Sequence, residues 1–296
     1  MLTQDAIWIS LSAFAVAATC SLMGYYLTLR KQSLFGDALS HSLLPGLVLA
    51  FVISGSIGGL PMLIGAIVAG LLCSFLIEEI RNQSHIKEDT SMGIVFTSMF
   101  ALGVLMLSQV GANVHLDTQC VLFGELLFVP LEDSVNVLGI NFPEPTAQLI
   151  LSFGIVSLFC KLFHKEFIIL AFHEGVAKSL GLPTKFLHYL MMALASIAIV
   201  ASFELVGAIL VIGFLILPPS FGKLFFSTFK GIYLSGLAMS AFSIVLAIPL
   251  SFSFNLNPAS LIIVLQFLIF VVVFTIKYLS STRNSQNLSA RGRHHA

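Results

Sequence analysis

The chain has 296 residues, of which 57% are hydrophobic and 9% charged, and its mean hydropathy is +1.01. A soluble core cannot absorb that many apolar residues, whereas several membrane spans of about 20 apolar residues each can. The formal net charge is zero, which removes any general electrostatic case for nucleic acid as a partner.

The first predicted span covers residues 6–29 and is closed by Arg30 and Lys31. No basic residue precedes this run and it is about long enough to cross, so no cleavable signal peptide is expected. A second span covers residues 34–54, and a glycine-rich turn follows at 55–61. The third covers 62–80. The stretch 78–89 is polar and expected in water, and the fourth span covers 91–108.

Residues 109–147 contain no lysine or arginine but five acids: Asp117, Glu125, Glu132, Asp133 and Glu144. Within this segment, 120–129 is apolar yet too short to cross, which predicts an interfacial or re-entrant helix. The fifth span covers 148–163, and a polar block follows at 161–185. Spans six and seven fill 186–202 and 205–221, hinged near Glu204. Spans eight and nine cover 231–250 and 259–278, leaving a transmembrane domain over 1–279. The remainder, 280–296, is a polar cytoplasmic tail expected to lack order. Cys20, Cys73, Cys120 and Cys160 are scattered, three of them in apolar runs. They fit small hydrophobes and not a disulfide framework or zinc cluster.

Charge gives the orientation. With the N-terminus outside and nine crossings, all fourteen basic residues fall in inside loops. They are Arg30 and Lys31; Arg81 and Lys87; Lys161, Lys165, Lys178 and Lys185; Lys223 and Lys230; and Lys277, Arg283, Arg291 and Arg293. Positive charge stays on the cytoplasmic side, so the C-terminus is expected inside. Lys185 and Lys223 must then share a side, which needs two short crossings between them. Eight full spans with one broken helix is the alternative.

The second span carries Asp37 and His41, four residues apart and so on one helical face. A carboxylate and an imidazole are both metal ligands, and ionisable groups inside a membrane usually mark a path or a site. The competing account makes Asp37 a helix cap and His41 a packing residue. At 1.5 Å per residue Asp37 sits only about 9 Å past Lys31. Glu204 is either a solvated acid at an outer turn or a third ligand or gate. His115 and Asp117 belong to a solvated acidic loop or a cation-collecting one. His85, His164, His173 and His188 fall in or beside inside loops and are expected to be ordinary surface residues. Pro45-Gly46 and Pro218-Pro219 interrupt apolar runs, as broken helices do in transporters. In the block 174–183, Ala177 and Gly181 would let another protein approach a short helix closely; a connector with a glycine stop fits equally well.

The motif Gly36-Asp37-Ala38-Leu39-Ser40-His41-Ser42-Leu43-Leu44-Pro45-Gly46 resembles the signature of the membrane permease subunits of bacterial ABC importers for manganese, zinc and iron. Three further blocks agree in order and spacing: Glu88 to Phe96, Ala177 to Pro183, and Val206 to Ile212 leading to Leu217-Pro218-Pro219. The likeness covers residues 8–278. It implies an all-α polytopic fold of eight to nine transmembrane helices, of the vitamin B12/siderophore importer type, in the bacterial inner membrane. It implies a homodimer, or a heterodimer with a sister permease, driven by separate cytoplasmic ATPase subunits and fed by an extracytoplasmic metal-binding protein. The block with Glu174, Ala177 and Gly181 would include the helix that couples to the ATPase. Asp37 and His41 would line the metal path, while the assignment of Glu204 gains little from the resemblance. The divalent ion is cargo, and no permanently bound cofactor is expected. No Gly-x-x-x-x-Gly-Lys-Ser/Thr motif is present, as fits a permease that leaves ATP to a partner. An ion-driven secondary transporter and an intramembrane metal enzyme using Asp37, His41 and Glu204 are the alternatives from other classes.

Overall fold

The computed structural model describes residues 2–32, 34–55, 60–84, 87–110, 124, 126–131, 134–137 and 140–293. His115 and Asp117 lie outside the described residues, as do 120–123 and Glu125. Seven helices among the described residues are long and apolar enough to cross a membrane, and Ile209–Phe225 is a shorter apolar one.

The first helix, α1 (Leu2–Leu29), is the central post. Ala13, Ala17, Cys20, Met23 and Tyr26 along it are fully buried. Lys31 takes a left-handed backbone (φ 61°) and turns the chain into α2 (Phe35–Ser42) and α3 (Leu44–Ser54). The predicted second span is thus one apolar run broken at Leu43. Proline has no N–H, so Pro45 cannot bond back to the His41 carbonyl.

Helix α4 (Leu60–Ser84) returns antiparallel to α3. A methyl group at Gly46 would land on Gly65, and one at Gly65 would land on Gly46 and Ala50. Small residues four apart on each helix let the two backbones touch, a common membrane packing device. Helix α5 (Glu88–Val110) covers the other side of α2 and α3.

The acidic segment also holds elements that the sequence reading did not include, while the stretch expected as an interfacial helix lies partly outside the described residues. Among its described residues are a 3-10 turn at Val129–Leu131 and an antiparallel hairpin of β1 (Ser134–Val137) and β2 (Ile140–Pro143), with Val137 opposite Ile140. Val135 and Val137 alternate with Ser134 and Asn136, the period-two pattern of a strand. Trp8 of α1 meets Phe142 edge-on at 5.4 Å and ties the hairpin to the start of α1.

Helix α6 (Glu144–Leu162) runs parallel to α1: Ser12 bonds Thr146 at 2.8 Å and Tyr26 bonds His164 at 2.8 Å. Two short helices follow, α7 (His164–Phe172) and α8 (Glu174–Ser179). Next comes α9 (Thr184–Phe225), whose 42 residues are interrupted by non-helical Gly207 (φ 73°, ψ 168°). The chain reverses there. Ile199 and Leu215 lie eight positions before and after Gly207, yet a Cβ at Gly36 would have both within 4 Å. In one straight helix they would stand about 24 Å apart. The hinge read near Glu204 is real but falls three residues later, because only glycine tolerates this backbone. Gly124, itself left-handed (φ 67°), backs directly onto Val206 and Gly207.

Helix α10 (Phe229–Phe254) lies antiparallel to the second leg of α9, with Gly222 against Ile232 and Gly236 against Pro218. Helix α11 (Pro258–Arg293) completes the bundle. It continues through the tail expected to lack order. From Ala259 to Ala290 the sequence has no glycine or proline, so once nucleated the helix meets nothing to stop it.

Candidate functional site

Helix α2 is short and mostly buried. Ala38, Leu39, Ser40 and Ser42 face the bundle, leaving Asp37 and His41 on the open side. Their side chains are 45% and 40% exposed, and His41 Nε2 stands 3.6 Å from Asp37 Oδ1. That is outside hydrogen-bond range, so the pair is neighbouring but not locked. Asp37 is not the cap: Leu34 is, with no side-chain bond, and Asp37 falls in the first turn, where the helix dipole favours a negative charge. His41 packs against the rings of Phe96 and Phe100 on α5, with centroids 5.9 and 5.6 Å away.

The pair sits within the bundle. Gly36 is level with Ile199 and Leu215, and Leu39 touches the neighbourhood of Gly70, midway along α4. The α2 turn therefore lies about 12 Å below the reversal at Gly207. At that depth a half-exposed carboxylate cannot face lipid cheaply, so its open side belongs to a polar path or to another protein surface. Among the described residues no group of three or more His, Cys, Asp or Glu side chains converges as a metal site. One chain therefore brings together two side chains of the ligand type at α2, Asp37 and His41. Glu204 lies in the first leg of α9, but its side chain is outside those described.

At the other end, α8 presents Val176 and Leu180 outward, 49% and 62% exposed, beside exposed Phe172. Ala177, expected to open a surface to a partner, is fully buried against its own chain. Gly181 (φ 75°) supplies the left-handed stop after α8, its N–H reaching the Lys178 carbonyl at 3.0 Å. Glu174 bonds Lys178 at 2.8 Å, and that ammonium holds the carboxyl below its usual range.

Two residues were missed. Glu78 was expected in water and His188 at the surface, yet both are buried with Oε2 and Nε2 2.8 Å apart. Arg81 Nη2 and Asn82 Nδ2 donate to Glu78 Oε1 at 2.7 and 3.0 Å. The only local signal was the spacing of Glu78 from Arg81 and Asn82, three and four residues on. His188 also differs from His164, whose Nδ1 meets the Tyr26 hydroxyl.

The described residues form a multi-pass helical membrane protein with interrupted spans. The chain belongs to the ABC 3 transport family, whose model matches residues 2–277. It is 40% identical over 214 residues to the manganese transport system membrane protein MntD of Bacillus subtilis, covering 72% of each chain. It is 34% identical over 273 residues to the chelated iron transport system membrane protein YfeD of Yersinia pestis, covering 92% of this chain and 86% of that one. Among solved structures it resembles PsaBC from Streptococcus pneumoniae, determined in complex with Fab, with a TM-score of 0.74 and 31% identity. That likeness covers 90% of this chain and 89% of the other.

Proposed function

We propose that this chain is the permease subunit of an ABC importer that carries a divalent transition-metal ion (Mn²⁺, Zn²⁺ or Fe²⁺) into the cytoplasm. The observation that carries the reading is the half-open Asp37/His41 pair held inside an apolar bundle, in a chain of a metal-transport permease family. Oxygen and nitrogen donors suit all three ions, so the delivery protein and the site geometry decide among them. Two copies of the pair, from a homodimer or a sister permease, would bring four ligands to one ion, a full set for a tetrahedral site. Glu204 remains a candidate further ligand.

The chain crosses nine times with the N-terminus outside and the C-terminus in the cytoplasm of a bacterial inner membrane. The fourteen basic residues support this, as does the reversal at Gly207, which returns both ends of α9 to one side. Separate ATPase subunits dock on the exposed apolar face of α8, and an extracytoplasmic metal-binding protein delivers the ion to the opposite side. The test is uptake into vesicles that carry the permease and its ATPase with ATP inside, the metal-binding protein and each metal in turn being supplied outside. ATP-dependent accumulation of at least one of the three ions is expected. Uptake that ignores ATP but follows an ion gradient would make the chain a secondary transporter.

A further inference from the structure

We infer that Glu78 and His188 form a positioning joint that makes α4 and the first leg of α9 move as one with α8, and so passes ATPase motion to the helix carrying Asp37 and His41. The inference rests on the proposed docking of an ATPase on α8.

The joint has an asymmetric construction. Arg81 and Asn82 belong to α4 itself, at i+3 and i+4 from Glu78, and both bond Oε1. They fix the carboxylate against its own helix. His188 bonds the other oxygen and comes from a different helix, so it is the tie between elements. Its Nδ1 is buried and has no hydrogen-bond partner among the described residues, so within them Nε2 makes the polar contact of the imidazole. A metal site is the competing account for a buried Glu–His pair. The Arg81 guanidinium, 2.7 Å from the same carboxylate, repels a cation there and argues against it.

The joint stands between α8 and the metal pair. Eight residues lie between Ser179 and His188, and the turn that opens this stretch is hydrogen-bonded back to α8. Leu182 N–H reaches the Ala177 carbonyl at 3.1 Å, and Thr184 N–H reaches that of Leu182 at 2.8 Å. With Ala177 fully buried, α8 and the start of α9 form a stiff elbow. Above the joint, both tied helices flank α2. Cys73 of α4 bonds Ser42, the neighbour of His41, at 3.1 Å, and Ile199 of α9 sits at Gly36. If the tie were cut, α9 could follow α8 while α4 stayed behind, and α2 would receive two different displacements.

The experiment uses the complete importer in vesicles and measures metal moved per ATP hydrolysed. His188→Leu should still co-purify with the ATPase but lower that ratio at least about fivefold, the lower end of ordinary coupling effects. His188→Gln places an amide N–H near the position of Nε2 and should restore most of it. As a second arm, Glu78→Cys with His188→Cys, in a background lacking native cysteines, should regain coupling when the two thiols are joined by a short bifunctional reagent. An unchanged ratio in His188→Leu, or a bridged pair that stops transport, overturns the inference, since the first shows the tie idle and the second shows that it must open. If the wild-type complex shows no ATP-driven uptake, the reading of the chain as an ABC permease fails instead.

Discussion

Replacing Gly207 by alanine tests the reversal on which the arrangement of α9 depends. The backbone there (φ 73°, ψ 168°) lies in a region that residues with a Cβ almost never occupy. Holding alanine in it costs about 1–3 kcal/mol. Relaxing to a helix would straighten the two legs and pull Ile199 and Leu215 off Gly36, so the bundle cannot escape the cost cheaply. Gly154 is the control. It lies inside α6 with nothing within 4 Å of a Cβ, and alanine in a helix interior gains about 0.5–1 kcal/mol over glycine. The two variants should therefore move in opposite directions. The chain has a single tryptophan, Trp8, packed on Phe142 near the start of α1, and its fluorescence reports unfolding of the purified protein. Gly207→Ala should melt below wild type and Gly154→Ala at or above it. If Gly207→Ala melts at or above Gly154→Ala, the reversal is not held by this glycine.

Two further outcomes follow. Val176→Asp and Leu180→Asp place charge on the outward face of α8 and should leave the permease in the membrane while reducing co-purification of the ATPase by tenfold or more, as measured by pull-down; undiminished binding would move the contact elsewhere. Cysteines introduced at Leu256 and Gln83, in a background lacking native cysteines, should label from outside and inside respectively with a membrane-impermeant thiol reagent; labelling of position 83 in intact cells would reverse the orientation.

Much of the fold was legible because it is written locally. Apolar runs, their closing arginines and lysines, and the stop at Gly181 each depend on a few neighbouring residues. What was not legible depends on contacts between distant positions. Glu78 and His188 are polar residues near the ends of predicted spans, and local polarity placed them in water; their burial follows from each other's presence across the α4–α9 contact. The depth of Asp37 counted from Lys31 agrees with the packing: Gly24 of α1 and Gly36 of α2 both lie against Leu215, and Gly24 is seven residues, about 10 Å, from Lys31. Glu204 drew attention to the hinge because charge is conspicuous in an apolar run, while Gly207 supplied the conformation. Ala177 looked like an opening for a partner and proved to be an inward contact, since a small residue on a short helix gives no hint of which way it faces.

The central claim is that Asp37 and His41 hold the ion in transit. The direct measurement is initial metal uptake per permease molecule, in vesicles containing the assembled importer, for Asp37→Asn and His41→Ala against wild type. Both side chains are half-exposed and form no hydrogen bond to each other, so their loss should leave expression and assembly intact. Each variant is predicted to take up metal at least about tenfold more slowly, the effect of roughly 1.4 kcal/mol lost at the path. Wild-type uptake per molecule in both variants would contradict the claim and remove these residues from the metal path.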